Sequence, residues 1–400
     1  MTASNSAVTS TGKARRRWII AIGVLVFIVV VFHLAGGWYF AGILETDALI
    51  PQAPSRDFGV VALDADASSI TLSGTDDAIR QPGRLGLWWE GGYAQVDAIL
   101  DENSESVVRV LIPISGVPPI CDSPQTETCD QLDLEAVAYG QPSHAGVEVA
   151  DVTYESPLGT MEAWLVAADP ASEVPVWAIH LHGWRADRSE ALRTLPAFSE
   201  AGLTSLVVEY RNDPGAPPDP TGHYRFGRSE WEDVEAGIDY ALSNGAEGIV
   251  LVGYSTGAAA ALSTLERSGR ADAVVAVVLD SPNIDFGRVV KEEAGKKVLV
   301  GPIMLPASLT AVAMTLADLR FDIGWKDINY VQRAADIDIP VLVFQGSADD
   351  TVPPSVAADL EAANPDRVTL VVTGADHMKS WNEDPERYET TLAEFLAQVT

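Results

Sequence analysis

The pattern of apolar and polar positions divides the chain into three stretches. An uncharged run extends from Trp18 to Leu44, longer than the roughly 20 apolar residues that span a bilayer. Residues 57–146 carry short β-prone runs separated by Gly, Asp, Asn or Pro, which predicts a small β-rich module. From residue 151 onwards, apolar runs of strand length alternate with helical patterns, which predicts a mostly parallel sheet with helices on both faces.

The same pattern predicts individual elements. The strands expected in the β-rich module are Val60–Leu63, Ser69–Leu72, Leu85–Trp89, Tyr93–Leu100 and Val107–Ile114. In the α/β part, the expected strands are Asp151–Pro157, Met161–Ala167, Val176–Leu181, Thr204–Tyr210, Gly248–Val252, Ala273–Leu279, Val341–Phe344 and Val368–Val372. Helices are expected over Ser189–Glu200, Glu230–Ser243, Ala258–Leu265 and Pro385–Gln398.

The amino-terminal run has the features of a membrane anchor. Lys13 and Arg15–Arg17 precede it, and Glu45 follows it. Positive charges stay on the cytoplasmic side of a membrane. A secretory signal peptide has a shorter apolar core of about 7–15 residues and a small-residue cleavage site, and no convincing site is evident here. We therefore expect an uncleaved, single-pass signal anchor over 18–44, with residues 1–17 as a cytoplasmic tail; a cleaved signal peptide is the alternative.

Charge excludes one class of partner. The formal net charge is −31, from 26 basic and 57 acidic residues. Such a chain repels phosphate backbones, so nucleic acid is not an expected partner. The acidic residues are spread along the chain, which favours a role in solubility.

Cysteine usage agrees with export. The only cysteines, Cys121 and Cys129, lie in a polar loop of the expected extracytoplasmic part. That compartment permits disulfides, so we predict that these two residues form one. Two free thiols or a weak metal clip remain alternatives, although a zinc site requires about four ligands.

The most specific chemical signal is Gly253-Tyr254-Ser255-Thr256-Gly257. It follows the apolar strand Gly248–Val252 and precedes the alanine-rich helix Ala258–Leu265. A nucleophile elbow has this order of strand, sharp turn and helix, and it exposes its serine at the carboxyl edge of a sheet. We expect Ser255 to be the nucleophile.

Three further motifs occur in a set order around the elbow. They are His182-Gly183-Trp184, then Gly346–Pro353 (GSADDTVP), then Gly374–His377 (GADH). With the elbow, they make the segment from about Val152 to Thr400 resemble the α/β-hydrolase superfamily, in particular its serine esterase and prolyl-oligopeptidase-like branches. The resemblance implies hydrolysis of an ester, thioester or amide through an acyl-serine, without a cofactor.

The resemblance also implies where the partners of the serine lie. In this superfamily the triad runs Ser, then Asp or Glu, then His along the chain. Only His377, among six histidines, follows Ser255. Asp349, just past the strand Val341–Phe344, is the favoured acid, and Asp280 is the alternative. The expected oxyanion hole consists of the backbone N–H groups of Trp184 and Thr256.

A long insert separates the strand that ends before Asp280 from the strand that begins at Val341. These folds place lids there, so we expect a lid over about 283–338. Its segment Val298–Leu316 is strongly apolar but contains Pro302 and Pro306, which argue against a second membrane span. A helix buried against the core is the alternative to a lid.

Together these features predict four regions, namely a cytoplasmic tail (1–17), an anchor (18–44), a β-rich module (45–150) and an α/β-hydrolase catalytic domain (151–400). The expected function is that of a membrane-anchored, extracytoplasmic serine hydrolase that cleaves a small-molecule ester, with a lipid-like acyl group as one option. A serine peptidase or an acyltransferase with the same triad is the alternative. A non-catalytic scaffold, and a metal hydrolase built on His180-Leu181-His182, are weaker alternatives. Oligomeric state is left open.

Overall fold

The computed structural model describes residues 8–52, 60–65, 68–74, 77–116, 131–169, 171 and 174–400. They form two compact units. The smaller unit comprises residues up to 50 together with 290–325, and the larger unit comprises residues 51–289 and 326–400. Cys121 and Cys129, and with them the predicted disulfide, lie outside the described residues.

The described residues form sixteen strands. In chain order these are β1 (Val60–Ala65), β2 (Ser69–Gly74), β3 (Leu85–Trp89), β4 (Gly92–Glu102), β5 (Ser106–Gly116), β6 (Gln131–Glu135), β7 (Ala150–Ser156), β8 (Gly159–Val166), β9 (Val176–Leu181), β10 (Thr204–Val208), β11 (Gly248–Tyr254), β12 (Val274–Asp280), β13 (Val298–Val300), β14 (Ile303–Met304), β15 (Val341–Gly346) and β16 (Val368–Thr373).

They also form nine α-helices. These are α1 (Val8–Leu44), α2 (Leu195–Glu200), α3 (Trp231–Ser243), α4 (Gly257–Arg267), α5 (Phe286–Lys296), α6 (Ala307–Phe321), α7 (Ser355–Ala363), α8 (Ser380–Glu383) and α9 (Pro385–Val399). The expected helix over 189–200 is divided into a 3₁₀ helix, Arg188–Arg193, and α2. Pro196 lies in the first turn of α2, where proline is favoured because no intrahelical N–H bond is lost.

The β-rich module is a closed barrel with strand order β1-β2-β5-β4-β3-β6. The sequence pattern did not predict β6, and this strand closes the barrel by pairing with both β1 and β3. Alternate residues of the strands point inwards, so Ile70, Leu72 and Leu87 are fully buried in its core.

An eight-stranded sheet forms the centre of the larger unit, in the order β16-β15-β12-β11-β9-β10-β8-β7. The first six strands pair in parallel, and β8 and β7 add an antiparallel edge. The expected mostly parallel α/β sheet is therefore confirmed.

Both faces of this sheet are buried. Val250 and Val252 of β11 belong to a core with Phe198 of α2 and Leu392 of α9. The intervening residues of the same strand are fully buried as well. Successive side chains of a strand point to opposite faces, so helices cover the sheet on both sides. Near-continuous burial of this kind is typical of parallel strands.

The smaller unit combines α1, the π-helical turn Glu45–Leu49, the hairpin β13–β14 and α6. Helix α6 packs along α1. Among the described residues, one helical stretch, Arg15–Leu49, is long and apolar enough to cross a membrane. Its mean hydropathy is 2.9. The apolar side chains of this stretch are mostly exposed; Phe27, for example, is 68% exposed. The expectation that the insert acts as a lid stays a prediction.

Candidate active site

Ser255 lies in a sharp turn between β11 and α4. Its φ of +48° is in the left-handed region, which is strained for a residue with a side chain. The two flanking glycines make the turn sterically possible. A Cβ on Gly253 would come within 2.6 Å of the Ala258 Cα atom, and a Cβ on Gly257 would come within 2.0 Å of the Leu181 carbonyl oxygen. The sequence therefore folds into the elbow that its motif predicts.

The structure brings together the three side chains that were predicted as a triad. His377 Nε2 lies 3.0 Å from Ser255 Oγ, and His377 Nδ1 lies 2.8 Å from Asp349 Oδ2. The His377 side chain is 17% exposed, whereas the Asp349 side chain is fully buried. A proton can thus pass from the serine to an imidazole that the buried carboxylate orients.

Several donors hold the Asp349 carboxylate in place. The backbone N–H groups of Thr351 and Val352 donate to its Oδ1 at 3.0 and 2.7 Å. The Gln345 side chain donates to Oδ2 at 2.9 Å. These bonds fix the orientation of the carboxylate and of the oxygen that faces His377.

Asp280, the alternative acid, has other partners. It ends β12, where its Oδ2 accepts a hydrogen bond from the Tyr388 hydroxyl at 3.2 Å and lies 3.7 Å from Arg193. Burial raises the pKa of this carboxyl. The geometry therefore favours Asp349 as the partner of His377.

Asp280 and its neighbours also hold the loop that carries His377. Ser281 donates its hydroxyl to Asp280, and the same oxygen accepts the Met378 N–H at 2.9 Å. Arg193 donates to the Met378 carbonyl at 2.8 Å. Met378, with φ of +60°, is itself in the left-handed region. The residue after His377 is thus fixed on both sides of its backbone.

The β-barrel supports this loop from another side. Gln81 donates to the Asp376 carboxylate at 3.0 Å, and the Arg84 N–H donates to the Asn382 carbonyl at 2.8 Å. Gly83, with φ of +87°, lies so close that a Cβ there would be 1.8 Å from the Asn382 oxygen. The barrel therefore packs directly on the segment that carries His377.

Arg109 fixes the barrel segment that makes these contacts. It is fully buried and donates to the carbonyls of Gln81 and Gly83 at 2.7 and 2.6 Å. Burial lowers the pKa of this guanidinium to about 10, so it remains charged at neutral pH. A charged donor makes stronger hydrogen bonds than a neutral one, which stiffens the segment.

The predicted oxyanion residues border a narrow cavity beside the elbow. Its volume is about 20 Å³, and its lining consists of Gly183, Trp184, Tyr210, Tyr224, Phe226, Gly227, Glu230, Thr256 and Ala260. A Cβ on Gly183 would approach the Ser255 Cβ to 3.1 Å. The Gly183 N–H donates to the buried Glu190 carboxylate at 2.6 Å, which fixes the conformation of the loop that follows β9. Trp184 and Thr256 thus line one cavity next to the serine.

His182, the first residue of this loop, forms a second histidine–aspartate pair. His182 Nε2 is 2.8 Å from Asp213 Oδ2, and its Nδ1 donates to the Gly183 carbonyl at 2.9 Å. Burial acts to lower the pKa of His182, but the Asp213 carboxylate and these hydrogen bonds raise it to about 9. The sequence pattern did not predict this pair, because Asp213 lies in a loop with no distinctive signal.

A second serine–histidine contact occurs between adjacent strands. His180 Nε2 lies 3.1 Å from Ser205 Oγ. Its Nδ1 lies 3.3 Å from the Tyr254 hydroxyl rather than a carboxylate. The His180 side chain is fully buried and burial lowers its pKa to about 3. Ser205 is only 1% exposed, so this contact has neither an orienting acid nor access for a substrate. The His180 and His182 rings have separate partners, and they do not converge on one point as metal ligands would.

Comparisons with known proteins identify the family of this chain. Residues 178–391, just over half of the chain, match the alpha/beta hydrolase family. The chain therefore belongs to this family, and the expectation of a hydrolase is confirmed. Residues 59–119 match a domain of unknown function, DUF8805. The comparison with curated proteins found no match.

Solved structures with a similar fold include several esterases. The esterase Pf2001 of Pyrococcus furiosus is 20% identical, with a TM-score of 0.51, over 65% of this chain and 96% of its own. A putative aryl esterase of Burkholderia cenocepacia is 19% identical, with a TM-score of 0.45, over 62% of this chain and 99% of its own. Esterase RhEst1 of Rhodococcus sp. ECU1013 is 19% identical, with a TM-score of 0.44, over 62% and 99%. At such identities the similarity concerns the fold.

Proposed function

We propose that this chain is a membrane-anchored serine esterase that cleaves small esters through an acyl-serine intermediate. The observation that carries the proposal is the continuous hydrogen-bond line from Ser255 Oγ through His377 to Asp349, at 3.0 and 2.8 Å. It starts at a strained elbow beside an aromatic-lined cavity. A non-catalytic scaffold has no need of such an arrangement.

The mechanism follows from the positions of these groups. His377 takes the Ser255 proton while the serine attacks the ester carbonyl, and the Asp349 carboxylate stabilises the resulting imidazolium. The negative oxygen of the tetrahedral intermediate binds the N–H groups of Trp184 and Thr256. His377 then donates its proton to the departing alcohol. A water molecule, activated by the same imidazole, releases the acid from the acyl-serine.

The cavity favours a short acyl group. Its volume of about 20 Å³ exceeds only slightly the roughly 10–15 Å³ that one water molecule needs on the same measure. Tyr210, Tyr224 and Phe226 line it and limit its length. We infer that only the smallest acyl groups are accommodated and that a long acyl chain does not enter without movement of these rings.

The sequence around α1 supports an anchor with a defined orientation. Basic residues precede the apolar stretch and Glu45 follows it. By the positive-inside rule, the amino terminus is cytoplasmic and the remaining chain is extracytoplasmic. Resistance to alkaline extraction from membranes, together with protease access to the larger unit only from the outer side, is the expected result. Release by alkali, or an amino terminus cleaved behind the apolar run, would contradict the anchor.

The catalytic proposal is tested with the full chain in detergent micelles. p-Nitrophenyl esters of increasing acyl length and the matching anilides are compared for wild type, Ser255→Ala and Ser205→Ala. We expect ester hydrolysis that is fastest for acetate, is lost in Ser255→Ala and persists in Ser205→Ala. Cleavage of anilides alone would indicate a peptidase. Absence of hydrolysis by folded wild type, or loss only in Ser205→Ala, would overturn the proposal.

A further inference from the structure

The insert of the smaller unit exposes an apolar hairpin. Strands β13 and β14 pair across the Gly301-Pro302 turn. The exposed fractions of its outward side chains are 62% for Val298, 67% for Val300, 55% for Ile303 and 44% for Met304. An isolated two-stranded hairpin is marginally stable in water. An exposed apolar group of this kind marks a surface that contacts a partner or a membrane.

The apolar character continues into α6. No Asp, Glu, Lys or Arg occurs from Val298 to Ala317, although Lys296 and Lys297 precede the segment and Asp318 follows it. The exposed side of α6 carries Ala311 and Thr315. A helix that faces water ordinarily bears charged side chains on that side. The composition of α6 therefore fits an apolar surrounding.

Helix α6 runs parallel to α1 and packs closely on it. Near its start, Ser308 Oγ lies 3.0 Å from His33 Nε2. Further along, a Cβ on Gly37 would come within 2.7 Å of the Val312 Cγ1 atom. Small residues that permit such close approach, and polar side chains that bond across helices, are characteristic of helix pairs in lipid.

Charged residues that follow the uncharged stretches of α1 and α6 lie next to each other. Arg320 of α6 lies 3.6 Å from Glu45, and its guanidinium stacks over the Trp38 ring at 4.1 Å. Tryptophan is enriched at the membrane–water interface. A span that starts at Trp18 and takes about 20 residues ends close to Trp38. At about 1.5 Å per residue, His33 then lies about 7 Å inside that boundary.

The hairpin joins α6 at the end beside His33, which is the end farther into the apolar part of α1. We propose that the segment Val298–Ala317 lies in the outer leaflet of the bilayer, packed on α1, with the β13–β14 side chains in contact with lipid acyl chains. This inference rests on the membrane anchor proposed above. It makes the insert a second membrane-embedded element that does not itself cross the bilayer.

The test measures whether single side chains of the full chain contact lipid or water. Spin labels are placed at Val300→Cys or Ile303→Cys, in a background with Cys121 and Cys129 replaced by serine. The protein is reconstituted into phosphatidylcholine–phosphatidylglycerol vesicles, and each variant must show the circular dichroism spectrum of the wild type. Collisions of the label with oxygen, which partitions into lipid, and with a water-soluble nickel complex are then compared.

Two exposed positions serve as matched references. Val24→Cys on α1 is 52% exposed and reports the span, and Leu100→Cys on the barrel is 57% exposed and reports water. We expect the oxygen-to-nickel ratio at Val300 and Ile303 to be several-fold above that at Leu100 and close to that at Val24. Labels at both hairpin positions that match Leu100, while Val24 reports lipid, would overturn the inference alone. A water-accessible Val24 label would overturn the anchor as well.

The packing of α6 on α1 is tested by a glycine pair. Gly37→Leu places a large side chain where Val312 lies, whereas Gly23 has no heavy atom within 4 Å of its Cβ position. We expect Gly37→Leu to lower the oxygen-to-nickel ratio at Val300 several-fold and Gly23→Leu to leave it unchanged. An unchanged ratio in Gly37→Leu would contradict the role of this packing.

Discussion

Two histidine–aspartate pairs lie near the elbow, and their ring-to-carboxylate distances are both 2.8 Å. They differ in what the second ring nitrogen meets. In His377 it faces the Ser255 hydroxyl, and the ring is 17% exposed. In His182 it faces the Gly183 carbonyl, and the ring is 3% exposed. We propose that the same pair carries a proton at His377 and holds the loop in place at His182, and that access together with the third partner makes the difference.

The largest expected effect comes from removing His377, the histidine that faces Ser255. His377→Ala leaves Ser255 without a base, so kcat/KM for p-nitrophenyl acetate should fall by about 10⁴–10⁶-fold. The thermal midpoint should change little, because Met378 and Asp376 hold the loop through their own bonds. Activity within about tenfold of wild type would mean that another group serves as the base.

Parallel substitution of the two acids separates the roles of the pairs. Asp349→Asn should reduce kcat by about 10³–10⁴-fold, because the orienting carboxylate is lost. Asp213→Asn removes the carboxylate that holds the buried His182 ring in its charged form, and loss of one partner of such a pair should lower the free energy of unfolding by about 3–5 kcal/mol. The folded fraction of Asp213→Asn should keep kcat within about tenfold of wild type. The reverse pattern would assign the proton-carrying role to His182.

The contact between the barrel and the His377 loop offers a test with a smaller expected effect. The barrel holds the His377 loop, and Gly83→Ala forces a Cβ against the Asn382 carbonyl. Gly146, with φ of +72°, has no atom within 4 Å of its Cβ position and is the matched control. Gly146→Ala should cost only backbone strain, about 1–3 kcal/mol. Gly83→Ala should cost more and also lower kcat/KM about tenfold, because His377 moves. Equal effects of the two variants on both readouts would argue against a positioning role of the barrel.

The smallest expected effect is a dependence of stability on pH. The pKa of His182 is raised from 6.5 to about 9 in the folded state, so its stabilising contribution is complete below pH 6.5 and is lost as pH rises through 9. The thermal midpoint should fall over this range in wild type, and the fall should be weaker in Asp213→Asn. An identical slope in both proteins would show that His182 does not cause it.

On the acidic side, the dependence of stability on pH involves His180. Burial lowers its pKa from 6.5 to about 3, so its contribution is present above pH 6.5 and is lost as pH falls towards 3. The two buried histidines therefore limit the pH range of maximal stability, His180 at its acidic end and His182 at its alkaline end.

The candidate site is predictable from the sequence because the elbow motif is local. The Gly-x-Ser-x-Gly order specifies a turn that only glycine-flanked chains can make, and the parallel strands around it appear as continuous apolar runs. His377 followed from chain order, and Asp349 was preferred over Asp280 from its loop. The geometry agrees with both choices, and their catalytic roles remain proposals.

The features that were missed depend on contacts between distant residues. Strand β6 is only five residues long, and it is recognisable from the pairing of Leu132 and Leu134 with β1 and β3. Asp213 lies 31 residues from His182, so no spacing rule connects them. The insert is expected to be a lid because of its position between two strands of the sheet. Its packing on α1 joins residues more than 270 positions apart, as in the contact of His33 with Ser308.

The central claim, that Ser255 is the activated serine, is tested most directly by locating a covalent adduct. The full chain is treated with a fluorophosphonate and the modified peptide is identified by mass spectrometry, in parallel with His377→Ala and Asp213→Asn. The account predicts an adduct on Ser255 in wild type, an adduct on the same residue in folded Asp213→Asn, and none in His377→Ala. An adduct on Ser205, or equal labelling of Ser255 without His377, would contradict it.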